Sequence, residues 1–163
     1  MGKIIVFNLT TLDGHYEGPN REIDWHHVNE EFNNFSIGQL NNADTLIFGR
    51  VTYELMANYW PTPAATTNDP IVASKMNSLP KIVVSKTLTK ANWLNTRLIK
   101  GNFVEEISKL KKQSSKDNFI FGSSDLAISF MQHGLIDEYR IMVNPVILGE
   151  GKPIFKGLQK GLN

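Results

Sequence analysis

The strongest constraint on the fold is the spacing of five short runs rich in β-branched or aromatic residues: Lys3–Asn8, Thr45–Phe48, Lys81–Ser85, Asn118–Phe121 and Glu138–Asn144. Each is bounded by turn formers, so each reads as a strand. Several are unbroken apolar runs, the pattern of strands covered on both faces. Between them apolar residues recur at helical spacing: Val28, Phe32 and Phe35; Phe103, Val104, Ile107 and Leu110; Leu126, Ala127, Phe130 and Met131. A further helix opens after Gly49 and runs through Leu55 and Met56. Strand and helix alternate, which predicts an α/β fold with a mainly parallel central sheet, helices on both faces and ligands at the carboxyl ends of the strands. The segment from Pro61 to Pro70 reads as a flexible surface loop.

The length of 163 residues suits one domain spanning 1–163. Lysine and arginine number 17 against 16 acidic residues, so no net positive field is available to hold a nucleic-acid backbone, and none is expected as a partner. The cluster Lys109, Lys111, Lys112 and Lys116 reads as the solvated end of a helix. With no cysteine, disulfides and thiolate chemistry are excluded. The apolar stretch Ile4–Phe7 is too short for a signal-peptide core and no segment has transmembrane length, so the expectation is a cytoplasmic protein without a membrane partner.

Three strand ends carry the chemistry. After the second run comes Gly49-Arg50-Val51-Thr52-Tyr53-Glu54, a glycine turn opening a helix, where free first-turn amides, a guanidinium and a hydroxyl suit a phosphate. After the third comes Ser85-Lys86-Thr87, hydroxyls and an ammonium suited to a ribose phosphate. After the fourth, Gly122-Ser123-Ser124-Asp125 leads into the helix of Leu126 and Phe130, a cradle for a pyrophosphate. Each alone is also an ordinary capped turn. Three on successive parallel strands point to a dinucleotide. No Gly-x-Gly-x-x-Gly follows the first run and no Walker-type loop occurs, which disfavours a standard Rossmann site.

These pieces, together with Thr11-Leu12-Asp13-Gly14, Tyr59-Trp60, Gly134-Leu135-Ile136-Asp137-Glu138 and Pro145-Val146-Ile147-Leu148-Gly149-Glu150-Gly151, resemble in order and spacing the reductase family related to dihydrofolate reductase. That family includes the C-terminal reductase domain of the bacterial riboflavin-biosynthesis deaminase-reductase. The resemblance implies a dihydrofolate-reductase-like three-layer fold and a small stand-alone reductase using NADPH on a small heterocyclic substrate, a pterin, dihydrofolate-like compound or ribosylamino-pyrimidine. It implies that Gly49, Arg50, Val51 and Thr52 with Ser85, Lys86 and Thr87 hold the adenosine end, Lys86 favouring a 2′-phosphate. Gly122, Ser123, Ser124, Asp125 and Leu126 would hold the pyrophosphate, with Leu9, Thr10 and Asp13 beside the nicotinamide. The alternative on the same fold is a non-catalytic NADPH-binding module or sensor.

Reduction of a C=N or C=O group needs a proton source, which dihydrofolate reductases place on the first helix. At about 100° per residue Glu31 lies by the apolar stripe and Glu30 points away, so Glu31 is the first candidate and Asp13 the second. Trp25, Phe35, Tyr53, Tyr59 and Trp60 are candidate walls of a substrate pocket, with core packing the competing reading. His26 and His27 diverge too far to chelate one ion, and no metal is expected. The family usually continues past Ile154-Phe155 into a final pair of strands, whereas this chain ends at Asn163; an unfinished sheet edge, or the Leu135–Glu138 region, would favour a homodimer.

Overall fold

In the computed structural model, which describes residues 1–161, the elements run β1 (Ile4–Thr11), β2 (His15–Glu17), α1 (Glu30–Asn41), β3 (Ala43–Gly49), α2 (Arg50–Tyr59), α3 (Pro63–Asn68), α4 (Pro70–Ser78), β4 (Lys81–Val84), β5 (Thr96–Ile99), α5 (Phe103–Gln113), β6 (Asp117–Phe121), α6 (Ser124–Gln132), β7 (Glu138–Asn144) and β8 (Lys152–Pro153).

Six strands form one sheet in the order β5-β4-β3-β6-β1-β7, and every neighbouring pair is parallel. One face is covered by α5 and α6: Ile107, Ala127, Phe130 and Met131 pack on Ile4, Val6, Ile47 and Ile120. On the other face Leu40 of α1, Tyr53 of α2, Met76 of α4 and the loop residue Trp93 pack on Ile5, Leu46, Phe48 and Phe119. The inner strands β1, β3, β4 and β6 carry apolar runs because both their faces are covered, whereas the edge strands β5 and β7 are half polar. Phe48, Phe119 and Phe130 are almost wholly excluded from water, and each such ring contributes about 1.5–3 kcal/mol.

Four expectations need correction. Val28 lies outside the first helix and is exposed, because Asn29 caps it by accepting a hydrogen bond from the Phe32 amide at 2.9 Å. The segment Pro61–Pro70 is largely helical: Pro63 and Pro70 stand at the first positions of α3 and α4, where a missing N–H costs nothing, and the Thr62 hydroxyl accepts from the Ala65 amide. No helix separates β4 from β5, a short strand whose Thr96-Arg97-Leu98-Ile99 carries too weak an apolar signal to read as one. Finally, β2 and β8 form a second, antiparallel two-stranded sheet that the run pattern does not contain. The lysine cluster is more engaged than a solvated face: Lys111 pairs with Asp137 at 2.7 Å and Lys109 with Glu105 at 2.7 Å.

Candidate functional site at the carboxyl edge of the sheet

Parallel strands joined by helical crossovers bring every strand-to-helix turn to one edge. Because β4, β3 and β6 are neighbours, the turns after them stand side by side, about 4.8 Å apart per strand. Two are joined directly. The Ser123 hydroxyl accepts from the Gly49 amide at 2.9 Å, and the Thr52 hydroxyl accepts from the Ser123 amide at 3.1 Å. A side chain at Gly49 would meet Leu126 and Ser123. The third turn is a self-contained ring in which the buried Ser85 hydroxyl accepts from the Leu88 amide at 3.0 Å and the Thr87 amide at 3.2 Å. Lys86 and Thr87 project outward, and Lys86 is in no ion pair among the described residues.

The α6 cradle is unusual in its backbone. Gly122 and Ser123 both have positive φ, 63° and 53°, the second a conformation that costs a residue with a Cβ. No side chain caps α6, leaving its first-turn amides free. The Ser124 hydroxyl, on a residue 4% exposed, has no hydrogen-bond partner among the described residues. Neither has the Oδ1 of Asn8, which is 2% exposed. The β1–β6 register pairs Phe7 with Phe121, so Asn8 stands level with Gly122, on the α6 side of the sheet with Ile4 and Val6. The free amides of the α6 N-terminus and the unpartnered Ser124 hydroxyl can donate to an anion, while Asn8 Oδ1 calls for a hydroxyl or amide donor, so the residues present fit a dinucleotide, its pyrophosphate on α6.

Tyr16 of β2 was not singled out by any sequence signal, yet it occupies this space. A Cβ on Gly122 would come within 2.8 Å of its hydroxyl, whose polar neighbours are the Thr52 hydroxyl and the Ser123 amide. Burial, then the charge of Glu17, pushes the phenol pKa up. Two depressions lie elsewhere: a groove of about 380 Å³ along Thr10, Leu12, Val143 and Phe155, and one of about 560 Å³ around Lys81 and Trp93 at the opposite edge.

Of the other candidates, Leu9 and Thr10 lie near the end of β1, where Thr10 is buried and its carbonyl accepts from Asn144 at 3.4 Å. Glu31 is exposed in the first turn of α1, which the crossover also brings to this edge. Phe35 is half-exposed, its ring 5.5 Å from that of Phe7, and Phe7 in turn meets Phe32 and Phe121, giving an aromatic floor below the edge. Trp25 is half-buried in the loop before α1, donating to the Glu22 carbonyl at 3.1 Å. Arg50 pairs with Glu54 at 3.0 Å on the surface of α2, and Val51 beside it is exposed.

Three candidate aromatics and one acid stand elsewhere in role. Tyr53 is 4% exposed in the core, its hydroxyl accepting from the Trp93 amide at 3.0 Å, because the fourth residue of α2 faces the sheet. Tyr59 and Trp60 sit at the far end of α2, about 13 Å along the axis from Arg50, edge to face with each other at 5.0 Å. Asp13 is a tether: its carboxylate accepts from the Gly149 amide at 2.8 Å and the Leu148 amide at 3.3 Å, and lies 3.2 Å from His15. The Thr11 hydroxyl, then the Gly149 amide, holds its pKa far below the carboxylate range.

The comparisons agree with this architecture. The chain is 34% identical over 99% of its length, and 84% of the relative's, to the uncharacterized protein YyaP of Bacillus subtilis (strain 168). It is 28% identical to YwjB of the same strain over 96% of its length and 84% of that protein's. Among solved structures, a Shewanella sp. PV-4 protein provisionally named for riboflavin biosynthesis superposes with a TM-score of 0.74 at 26% identity, covering 99% of this chain and 87% of that one. A Thermotoga maritima diaminohydroxyphosphoribosylaminopyrimidine deaminase/5-amino-6-(5-phosphoribosylamino)uracil reductase gives a TM-score of 0.68 at 14% identity over 99% of this chain and 50% of that one, which shows a shared fold. The three-layer α/β fold is thus the dihydrofolate-reductase-like one of riboflavin-pathway reductases. With the family model for the RibD C-terminal domain matching residues 2–162, this chain belongs to the RibD C-terminal domain family.

Proposed function

We propose that this protein binds NADPH across the carboxyl edge of its sheet and reduces a small heterocycle of the ribosylamino-pyrimidine or pterin class. The observation that carries the reading is the row of three turns on the adjacent strands β4, β3 and β6, ending at a cradle with two orphaned polar groups. In it Ser85, Lys86 and Thr87 take the adenosine ribose, with Lys86 free to pair with a 2′-phosphate. Gly49 to Thr52 form the middle of the groove, and Gly122 to Leu126 take the pyrophosphate on the α6 amides. Bound NADPH would supply the hydride. Leu9 and Thr10 would border the reacting end, Phe7 and Phe35 would offer flat apolar contact to a planar substrate, and Glu31, exposed in the first turn of α1, would be the carboxyl group that passes a proton. A homodimer through the outer edge of β7 belongs to the same reading, and light scattering on eluting protein reads its mass directly.

The test is titration with NADPH and NADH, followed by energy transfer from tryptophan to nicotinamide. NADPH is expected to bind, and Lys86→Ala to weaken it about tenfold while leaving NADH unchanged. Failure of the wild type to bind either nucleotide removes the reductase reading.

A further inference from the structure

The α6 cradle carries an acidic residue, Asp125, in its first turn, which alone would repel the phosphates proposed to bind there. It is not alone. Lys152, the first residue of β8, reaches across from the C-terminal part of the chain and places its ammonium 2.9 Å from an Asp125 carboxylate oxygen. The same ammonium stands 5.9 Å from the centre of the Tyr16 ring, whose hydroxyl rests on Gly122. The register pairs Glu17 with Lys152, and Gly151 permits it: its φ is 142° and a Cβ there would collide with the Glu17 carbonyl. The β2–β8 strap therefore holds one aromatic hydroxyl and one cation over the mouth of the cradle. Asp125 is highly exposed, so its pairing with Lys152 is weak and readily exchanged for another anion. At the same turn the buried Ser124 hydroxyl, able to donate to a phosphate oxygen, has no partner among the described residues, and on the neighbouring strand the buried Asn8 Oδ1 likewise lacks a donor.

We propose that Lys152 is a phosphate-binding residue of the α6 cradle, exchanging Asp125 for the pyrophosphate of the dinucleotide, with the Tyr16 hydroxyl marking the position a phosphate oxygen takes. The inference rests on the dinucleotide reading and adds to it a ligand from the opposite end of the sequence. A charge-assisted contact of this kind is lost on Lys152→Gln, for an expected weakening of NADPH of about tenfold. Lys152→Arg keeps the charge and restores most of the affinity, and Asp125→Asn removes the competitor and tightens binding. Adenosine 2′-monophosphate, which has no pyrophosphate, separates a ligand from a prop: Lys152→Gln leaves its binding unchanged. Equal loss of both ligands, no loss of either, or failure of Lys152→Arg to restore binding overturns the proposal while the NADPH reading stands. If the wild type binds no NADPH but inorganic pyrophosphate raises its melting temperature in a Lys152-dependent way, the anion site stands and the dinucleotide reading falls. Absence of both responses ends both.

Discussion

The two edges of the central sheet bury polar groups in opposite ways. At the amino edge they are matched to partners. The Lys81 ammonium, on a residue 1% exposed, donates to the carbonyls of Leu79 at 2.7 Å, Met76 at 2.8 Å and Asn77 at 3.1 Å, closing the C-terminus of α4, and lies 4.5 Å from the Trp93 ring centre. Asn118, fully buried, is held by the Ser114 hydroxyl and the Lys3 carbonyl, while Asp137 accepts from the Ile4 amide at 2.8 Å. At the carboxyl edge Asn8 and Ser124 are equally buried with no partner, and the backbone turns left-handed beside them. The amino edge has orphans of its own in Thr96 and Gln39, but neither stands beside an uncapped helix N-terminus, and Gln39 still accepts from Arg140 through its other atom. Satisfied polar groups fix a fold, and orphans flanking an uncapped helix N-terminus mark where something else is expected to bind.

The largest effect that would break this contrast is at Lys81. Replacing it with Met leaves three carbonyls at the end of α4 without their donor, and a loss of about 2–3 kcal/mol in unfolding free energy by chemical denaturation is expected, with NADPH affinity unaltered. Burial pushes the Lys81 pKa down to about 8, while the carbonyls and the Trp93 face favour the charged form. A folded-state pKa below the unfolded value of about 10.4 means this group's stabilisation is fully present above that value and is lost as pH falls through 8. Stability of the wild type, but not of Lys81→Met, should therefore rise between pH 8 and 10. A loss of NADPH binding in Lys81→Met would show that the two edges are not independent.

Legibility follows the same division. Strands β1, β3, β4 and β6 were readable because both their faces are largely buried, which writes an apolar run into the chain, whereas the half-exposed edge strand β7 shows itself by its β-branched and aromatic content. The edge strand β5 is half polar, and β2 and β8 hold three and two residues, too few for any period to appear. The prolines of Pro61–Pro70 were misread because proline breaks a helix interior yet starts a helix, and only the cap residue before it separates the cases. Glycine with small polar residues after a strand is a local signal, so the turns at Gly49, Ser85 and Gly122 could be found without structure. Tyr16 and Lys152 could not: each is an ordinary residue in its own neighbourhood, and only the pairing of β2 with β8 brings them to the same cradle. Tyr53 erred the other way, borrowing significance from Gly49 while its side chain faces the core.

Asp13 tests the carboxyl edge in acid. The Thr11 hydroxyl and the Gly149 amide hold its pKa well below the unfolded value of about 3.9, so its contribution is present above that value and lost as pH falls through the folded one. Melting curves of the wild type should therefore shift downward more steeply below pH 4 than those of Asp13→Asn, which lacks the titrating group. At pH 7 the variant should loosen residues 145–151, seen as faster amide exchange at Gly149, and through them the strap that carries Lys152. Parallel acid limbs for the two proteins would show that the tether contributes nothing to folding.

The smallest effect is the most discriminating. Asn8→Leu replaces a buried amide whose carbonyl oxygen has no partner with an apolar side chain of similar size, on a face already lined by Ile4 and Val6. Removing the uncompensated desolvation should stabilise the ligand-free protein by about 0.5–1 kcal/mol. NADPH affinity should fall in the same variant, because the group that weakens the empty fold is the one the ligand would satisfy. A stability gain with unchanged affinity would make Asn8 a defect of packing, leaving Ser124 alone to mark the cradle. A stability loss would mean that Asn8 makes a hydrogen bond in solution, and the contrast between the two edges would then rest on backbone conformation alone.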